Sequence, residues 1–425
     1  MSSWEWIETT IGEYCPFIYG KSLPQAKRVT GEYAVYGSNG IVDYHNEYCV
    51  KPFGVIIGRK GSVGEVHLST KPFWAIDTSF YVVKDDIEEL KFVYYLLKTL
   101  GLTEMNSDSA VPGLNRENAH SLKIKIPKDL EHRKYIGKQL SIFDDKIQLN
   151  TQINQTLEQI AQTIFKSWFI DFDPIHAKAE ALASGQTLEQ ATQAAMAEIS
   201  GKNTQELHRL QTANPEQYQQ LWEIAEAFPS GFSGYKNLGE IPIGWNVLTF
   251  KDFISESKEK IGSLEDVPEY SVGNEGIYPR SEKYNKSLSK TPEKNKVVRI
   301  GDLVFGMGSK TLNWGIMNDE IGSVSPAYFV YRIFTNINYI YLNKYIKAKE
   351  YDFQNLIKPT SRQGQSVDKE MFLKKEIYVP NEYLLNIYLN KLKEIDSLVY
   401  SYTTEVLILE QIRDELLPKL LSGEI

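Results

Sequence analysis

Two stretches of the chain, 128–170 and 381–425, carry apolar residues at alternating spacings of three and four. This is the spacing of a heptad seam, which buries one face of a helix against a partner helix. The pattern therefore predicts two long helices that pack on each other. The seam positions expected to make this packing are Leu140, Phe143, Ile147, Ile153, Leu157 and Ile160 in the first helix, and Leu392, Ile395, Val399, Val406 and Leu409 in the second.

Each long helix follows a region in which short apolar runs alternate with glycine-rich turns. In the first region the pattern predicts three strands and one helix, at 56–57, 79–83, 122–126 and 88–100. In the second region a helical pattern recurs at 339–351. These features predict an α+β fold with two mixed α/β domains, each followed by a long helix.

The two halves of the chain repeat one another in order. Trp6 returns as Trp245, and Leu157-Glu158-Gln159-Ile160 recurs unchanged at 409–412. Seven such matches keep their order, and their offsets drift by only a few residues, which indicates an internal duplication. The predicted organisation is a first domain at 1–127, a long helix at 128–170, a connector at 171–241, a second domain at 242–380 and a second long helix at 381–425.

The connector differs in composition from the rest of the chain. It is rich in Ala, Gln and Glu, and residues 171–239 hold 4 basic and 9 acidic side chains. Helical patterns occur at 177–197 and 215–227. We interpret this part as a solvated connector with some helix, which offers a surface for partners.

Four short motifs in this arrangement resemble the specificity subunits of type I restriction–modification systems. Phe169–Pro174 with Ala177–Glu180 is similar to the family's central conserved region. Leu238–Trp245 resembles the entry to its second domain. Gly113–Glu117 resembles its domain-closing motif, and Leu416–Gly423 its C-terminal end. The resemblance extends over essentially the whole chain.

This resemblance implies two target-recognition domains, each reading one half of a split DNA target. It implies that the two long helices pair antiparallel, related by a pseudo-twofold, and hold the domains apart. Two modification (methyltransferase) subunits would dock on this frame, and restriction (motor-nuclease) subunits would join them. The chain itself would be non-catalytic and would bind no cofactor, because S-adenosylmethionine, ATP and Mg are expected in the partner subunits.

Composition excludes several other classes of protein. Two cysteines 34 residues apart, Cys15 and Cys49, do not make a disulfide scaffold or a conventional zinc site. We find no secretory signal and no membrane span, which predicts a cytoplasmic protein. The sequence also lacks an amino-methylation motif, a phosphate-binding P-loop and histidines at metal-binding spacing.

The net charge of −8, taken over the whole chain, argues against a nucleic-acid binder. The charges of the separate regions change this conclusion. Much of the acidity lies in the connector and the last helix. In contrast, residues 280–299 hold seven basic and two acidic side chains, with Tyr278 and Tyr284 interleaved. Such a run suits contact with DNA phosphates.

Base reading requires cationic or amide side chains on exposed loops. The predicted DNA contacts in the first domain are Ser38, Asn39, Arg59, Lys60, Asn115 and Arg116. Those in the second domain are Asn274, Arg280, Lys283, Lys286, Lys290, Lys310, Asn313, Arg362, Gln363 and Gln365. The Gly58–Gly64 turn is expected to present backbone N–H groups and the side chains of Arg59 and Lys60 to a phosphate. Because the two copies differ at these positions, we predict an asymmetric bipartite target.

Three alternatives stay open at this stage. The chain could serve a stand-alone methyltransferase or another phage-defence system, which neighbouring genes would reveal. It could be an enzyme acting on DNA, in which case the purified chain would transfer methyl groups by itself. It could also be a coiled-coil scaffold that makes no DNA contact, in which case it would not be retained on random DNA at low salt.

Overall fold

The computed structural model describes residues 4–105, 113–235, 239–273, 276–284, 288–289, 291–306, 313–359 and 365–424. It divides into two units, and both boundaries fall inside a long helix. One unit contains Met1–Thr156 and Ser397–Ile425, and the other contains Leu157–Asp396. Each unit therefore holds one mixed domain, the beginning of one long helix and the end of the other.

The first domain combines short strands with three helices. Its strands are β1 (Trp6–Thr10), β2 (Ile18–Tyr19), β3 (Tyr33–Gly37), β4 (Gly40–His45), β5 (Gly54–Gly58), β6 (Val66–Ser69), β7 (Phe73–Ala75), β8 (Ser79–Val82) and β9 (Lys123–Pro127). Its helices are α1 (Ile11–Tyr14), α2 (Ile87–Lys98) and α3 (Arg116–His120). The three predicted strands correspond to β5, β8 and β9, and the predicted helix corresponds to α2.

Strand β5 lies at the centre of the first domain. It belongs to a four-stranded sheet with the order β2-β8-β5-β6, while β4-β3-β7 form a second sheet and β1 pairs with β9. Val55 and Ile57 pack into one hydrophobic cluster, and Ile56 packs into another with Phe73. Because successive side chains of a strand point to opposite faces, β5 is buried on both sides. This explains its uninterrupted apolar sequence.

The second domain has more strands and three helices of its own. Its strands, with a leading hairpin, are β10 (Phe232–Tyr235), β11 (Gly239–Pro242), β12 (Asn246–Thr249), β13 (Ile254–Ser257), β14 (Tyr270–Gly273), β15 (Gly276–Pro279), β16 (Lys296–Arg299), β17 (Leu303–Phe305), β18 (Trp314–Ile316), β19 (Ile321–Val324), β20 (Phe329–Ile333), β21 (Ile357–Pro359), β22 (Gln365–Val367) and β23 (Glu376–Val379). Its helices are α9 (Tyr339–Ala348), α10 (Glu350–Gln354) and α11 (Lys369–Leu373).

The duplication read from the sequence is present in the strand order. The sheet β13-β20-β17-β18 has the connectivity of β2-β8-β5-β6, and β12·β23 corresponds to β1·β9. The helices that follow begin alike, because Asp86 before α2 and Asn338 before α9 each accept two backbone N–H groups. The prediction of one helix over 339–351 is wrong in one respect: the backbone leaves the helical conformation at Lys349 (φ −108°, ψ 20°), and α10 is separate.

The connector is more ordered than its composition indicates. It forms helices α5 (Asp173–Ala183), α6 (Leu188–Ser200), α7 (Thr204–Ala213) and α8 (Pro215–Glu226). The last three share a small core that includes Met196, Leu207 and Leu221. Lys178 is buried, and its ammonium donates to the carbonyls of Ala225 and Phe228 at 3.1 and 2.7 Å. Burial lowers the pKa of Lys178. The connector is thus a helical element of the second unit with an anchored end.

The two long helices are α4 (Leu130–Phe169) and α12 (Glu382–Ser422), close to the predicted ranges. Leu140 packs in the same cluster as Leu420 in the first unit. In the second unit Leu392 belongs to the same hydrophobic cluster as Ala161 and Phe165. In the first unit, positions 144, 150 and 154 along α4 bond to positions 413, 405 and 403 along α12, so the two helices run antiparallel there. Of the other predicted seam residues, all but Ile160 are half-buried: Phe143, Ile147, Ile153, Leu157, Ile395, Val399, Val406 and Leu409.

Ile160 does not lie on the buried seam. Its side chain is 44% exposed, and the buried face at this end of α4 runs through Ala161, Phe165 and Trp168. An α-helix has 3.6 residues per turn, so it drifts relative to a strict seven-residue repeat. The seam spacing read from the sequence therefore assigned Ile160 to the wrong face.

The middle of the helix pair in the first unit is polar. Arg413 donates to Asp144 at 2.7 Å, and the fully buried Asn150 donates its side-chain amide to Glu405 at 2.9 Å. Asn154 donates to Thr403 at 3.0 Å. Because directed polar contacts disfavour a shifted alignment, these contacts fix the register of the two helices.

Candidate nucleic-acid interface

The loops predicted to contact DNA in the first domain come together in the structure. Ser38 and Asn39 form the turn between β3 and β4, and Asn39 is exposed. The backbone of Gly58 approaches Ser38 so closely that an added Cβ would lie 2.7 Å from the Ser38 carbonyl oxygen. The N–H of Leu114, just before α3, donates to the carbonyl of Arg59 at 2.9 Å. The β3–β4 turn, the loop after β5 and the start of α3 are therefore adjacent.

Two of the predicted cations in this region share one aromatic ring. The guanidinium groups of Arg59 and Arg116 each lie 4.9 Å from the ring centre of Tyr19. Tyr19 belongs to β2 and is 47% exposed. We call these three residues the Tyr19 cluster. Cation–π attraction stabilises this arrangement, because the face of an aromatic ring is electronegative.

Two predicted roles need adjustment. The backbone N–H groups of Arg59 and Lys60 both donate to the carbonyl of Thr78, at 2.9 and 3.1 Å. The prediction that these two groups are presented to a phosphate is therefore wrong, because they join the loop to the turn that leads into β8. The side chain of Lys60 is exposed. The second adjustment concerns Asn115, whose side-chain oxygen accepts the N–H of Asn118 and so caps α3.

The second domain has its own cation–aromatic cluster, formed by Tyr278, Arg280, Lys283 and Tyr284. Arg280 lies 4.4 Å from the ring centre of Tyr284, and the Lys283 ammonium lies 4.4 Å from that of Tyr278. Arg280 also donates to the Ser271 hydroxyl at 3.1 Å. Burial and a hydrogen bond with Tyr284 raise the pKa of Tyr278. We call these four residues the Tyr278 cluster.

Two basic residues at the C-terminal end of the 280–299 run, Lys296 and Arg299, have partners inside the domain. Lys296 donates to the carbonyl of Tyr328 at 2.6 Å, and burial lowers its pKa. Arg299 donates to Glu259 at 2.7 Å. Arg332, from β20, also contacts Glu259 and pairs with Asp302 through two hydrogen bonds. The positive charge expected over the whole run is therefore reduced at its C-terminal end.

Several predicted contacts cannot be placed. Asn274, Lys286, Lys290, Lys310, Arg362 and Gln363 lie outside the described residues. Gln365 is placed by its backbone, which pairs with Pro359 in β21·β22. The carbonyl of Asn313 accepts the N–H of Gly306 at 2.8 Å, which places Asn313 beside β17. These assignments stay predictions.

Tyr19 is the residue that sequence reasoning missed. It stands 40 residues from Arg59 and 97 from Arg116, and the short run around it carries no distinctive pattern. Only the pairing of β2 with β8, which places the ring against Phe80, indicates its position. A search for tyrosines near predicted basic loops would not have selected it.

The described residues offer few features for other chemistries. Among them, no three His, Cys, Asp or Glu side chains gather as metal ligands would. Cys15 is buried, Cys49 is half-buried, and neither forms a disulfide. In the part of the chain that the structure describes, no helix has the length and apolar character needed to cross a bilayer.

Comparisons with known proteins place the chain in a family. A family model described as "Type I restriction modification DNA specificity domain" matches residues 2–159. The HindI specificity subunit of Haemophilus influenzae is 32% identical over an alignment of 385 residues, which covers 83% of this chain and 81% of that protein. The MjaIX specificity subunit of Methanocaldococcus jannaschii is 29% identical over 178 residues, covering 39% of this chain and 40% of that protein.

The fold agrees with these sequence matches. The crystal structure of a type I restriction–modification S subunit from M. genitalium superposes with a TM-score of 0.52 at 14% identity. That match covers 99% of this chain and 97% of the other. At this level of identity the superposition bears on the fold alone, while the HindI relative carries the assignment. This protein therefore belongs to the family of type I restriction–modification specificity subunits.

Proposed function

We propose that this chain selects the DNA sequence for a type I restriction–modification complex, with each mixed domain reading one half of an asymmetric bipartite target. The observation that carries this proposal is the pair of unlike cation–aromatic clusters on a duplicated fold. Arginines suit base reading because their planar groups contact a guanine edge with two hydrogen bonds. Two copies of one domain with different cation sets are expected to read different half-sites.

The long helices would set the spacing between the half-sites and dock the modification subunits. Each helix contributes to both units. Because an α-helix rises 1.5 Å per residue, the number of residues in each helix would determine the spacing between the half-sites. The docking role is supported by apolar side chains on the solvent side of α12. Leu407 and Ile408 are 62% and 51% exposed, and Ile412 lies one turn further on. Exposed apolar side chains grouped along a helix are typical of a partner surface.

The chemistry would belong to the partners. S-adenosylmethionine would bind to two modification subunits, and ATP and Mg to restriction subunits, with this chain non-catalytic. The absence of a methylation motif or a P-loop from the sequence supports this division. The finer alternative, a chain that serves a stand-alone methyltransferase, differs only in the partners that it recruits.

The proposed reading is tested by sequencing the methylated positions in cells that carry this chain with its modification subunit. We expect one split target with two different halves and a fixed spacer. A symmetric target would contradict the proposal that the two domains read different sequences. If methylation had no sequence preference, the specificity role itself would be wrong.

The docking surface is tested with Ile408→Asp, which places a charge in the exposed apolar group. We expect this variant to lose co-purification with the modification subunit, while Ile408→Leu keeps it, because leucine conserves the apolar contact. Equal recovery with both variants would exclude this face of α12 as the docking surface. Because the side chain is half exposed, neither substitution should unfold the chain.

A further inference from the structure

Tyr19 is held firmly although its ring is exposed. The ring packs edge-on against Phe80, with the ring centres 5.0 Å apart, and Phe80 is completely buried. The backbone of Tyr19 pairs with that of Phe80 in β2·β8. Because Phe80 and the β2·β8 pairing hold Tyr19 in place, its ring presents a rigid aromatic surface to neighbouring side chains. Little conformational entropy is then lost when those side chains bind to the ring.

Each arginine of the Tyr19 cluster has a second attachment that sets its rotation. Arg59 donates one N–H to the carbonyl of Asp77 at 3.0 Å. Arg116 donates from Nε and Nη2 to a single carboxylate oxygen of Glu117, at 3.2 and 2.9 Å. A guanidinium has five N–H donors. Among the described residues, these bonds engage one donor of Arg59 and two of Arg116, so each group keeps donors for another ligand.

The backbones that carry the two arginines are also joined. Besides the bond from Leu114 to Arg59, a β-bridge links Lys60 with Gly113. The two backbone segments that carry the guanidinium groups are therefore held together, and each side chain is held further by its own hydrogen bonds and by the ring. This rigidity distinguishes a base-reading site from a phosphate contact, because a base edge requires a fixed donor direction, whereas a phosphate accepts donors from many directions.

We propose that Tyr19 is a positioning residue for base reading, whose ring holds Arg59 and Arg116 against guanine in the half-site of the first domain. The inference rests on the proposed function, and it names both the base and the residues that read it. Guanine is the base expected because its O6 and N7 accept two parallel N–H donors from one guanidinium. Tyr19 need not touch DNA to fulfil this role.

The test uses the complex of the full chain with its modification subunit. Binding is measured on duplexes in which every position of both half-sites is varied. For Tyr19→Leu we expect binding to fall about 5- to 30-fold, the size expected for two cation–π contacts. We also expect the preference for guanine to relax at one or two positions of the first half-site. Tyr19→Phe keeps the ring and should retain wild-type affinity and preference.

Several outcomes would overturn this proposal. If Tyr19→Phe and Tyr19→Leu behave alike, the ring does not position the arginines. If Arg59→Ala and Arg116→Ala weaken binding and its salt dependence but leave every base preference intact, the arginines contact phosphates instead. These two variants also keep the test valid if Tyr19→Leu fails to fold. Failure of the proposed function is separate, because the wild-type complex would then show no preference at either half-site.

Discussion

The two recognition domains build similar cation–aromatic clusters in opposite ways. In the first domain, Arg59 and Arg116 come from distant segments and meet on Tyr19. In the second, the Tyr278 cluster is contained in seven consecutive residues at the end of β15. The comparison shows that one fold can present similar surface chemistry from a local motif or from a tertiary arrangement.

The comparison also shows that an arginine's partners, rather than its presence, determine its role. Arg332 and Arg299 of the second domain face the carboxylates of Glu259 and Asp302, so their charge is balanced inside the domain. In the Tyr19 cluster, Arg59 bonds to a backbone carbonyl and rests on an uncharged ring, while Arg116 shares that ring and pairs with the exposed carboxylate of Glu117. We therefore expect the first kind of arginine to affect folding and the second to affect DNA binding.

The largest effect is expected for Arg332→Ala. The side chain of Asp302 is only 2% exposed, and removing Arg332 leaves a buried carboxylate without its main cation. Breaking such a pair costs about 3 kcal/mol or more of folding stability. Urea unfolding of the chain would measure this loss in the second domain. Arg59→Ala should change folding stability by only about 0.5 kcal/mol. If both variants lost the same stability, arginines paired with carboxylates inside the domain would not differ from those on the Tyr19 ring in their effect on folding.

An intermediate effect is expected in the Tyr278 cluster. Arg280→Ala should cost about 1–3 kcal/mol of DNA binding and relax one position of the second half-site. Lys283→Ala should weaken binding evenly across sequences and reduce the slope of log affinity against log salt by about 1. Titration of matched and mismatched duplexes at several salt concentrations separates the two. If both variants behave like Lys283→Ala, Arg280 does not read a base.

The smallest effect concerns pH. Hydrogen bonds from Arg299 and Arg332 lower the pKa of Glu259 from 4.5 to about 2. Between these values the unfolded chain binds a proton that the folded chain does not, so this contribution to stability is complete above pH 4.5 and is lost as pH falls toward 2. Because the pair is partly exposed, its contribution is about 1 kcal/mol or less.

This pH dependence can be isolated by substitution. Glu259→Gln removes the titrating group, so its stability should fall less steeply between pH 4.5 and 2 than that of the parent chain. Unfolding by urea at several pH values provides the measurement. Parallel curves for the two chains would show that other carboxylates account for the acid sensitivity.

Local patterns gave correct predictions wherever neighbouring residues carry the signal. Strand β9 alternates polar and apolar residues, and the helical pattern at 88–100 corresponds to α2, so both were located from the sequence. The pattern of apolar residues placed Ile160 on the wrong face of α4, because an α-helix has 3.6 residues per turn and drifts relative to a seven-residue repeat. It also missed the contact of Asn150 with Glu405, because polar residues in a seam have no partner until the register is known.

The sequence by itself determined the duplication, the two long helices, the family resemblance and the local Tyr278 cluster. These features depend on spacing along the chain, which folding does not change. Only the tertiary structure decided that Arg332 pairs with Glu259 and Asp302, and that Arg59 and Arg116 share the ring of Tyr19. The physical reason is distance: a cation interacts strongly within a few ångströms, and residues 97 positions apart reach that distance only when strands and loops have packed together.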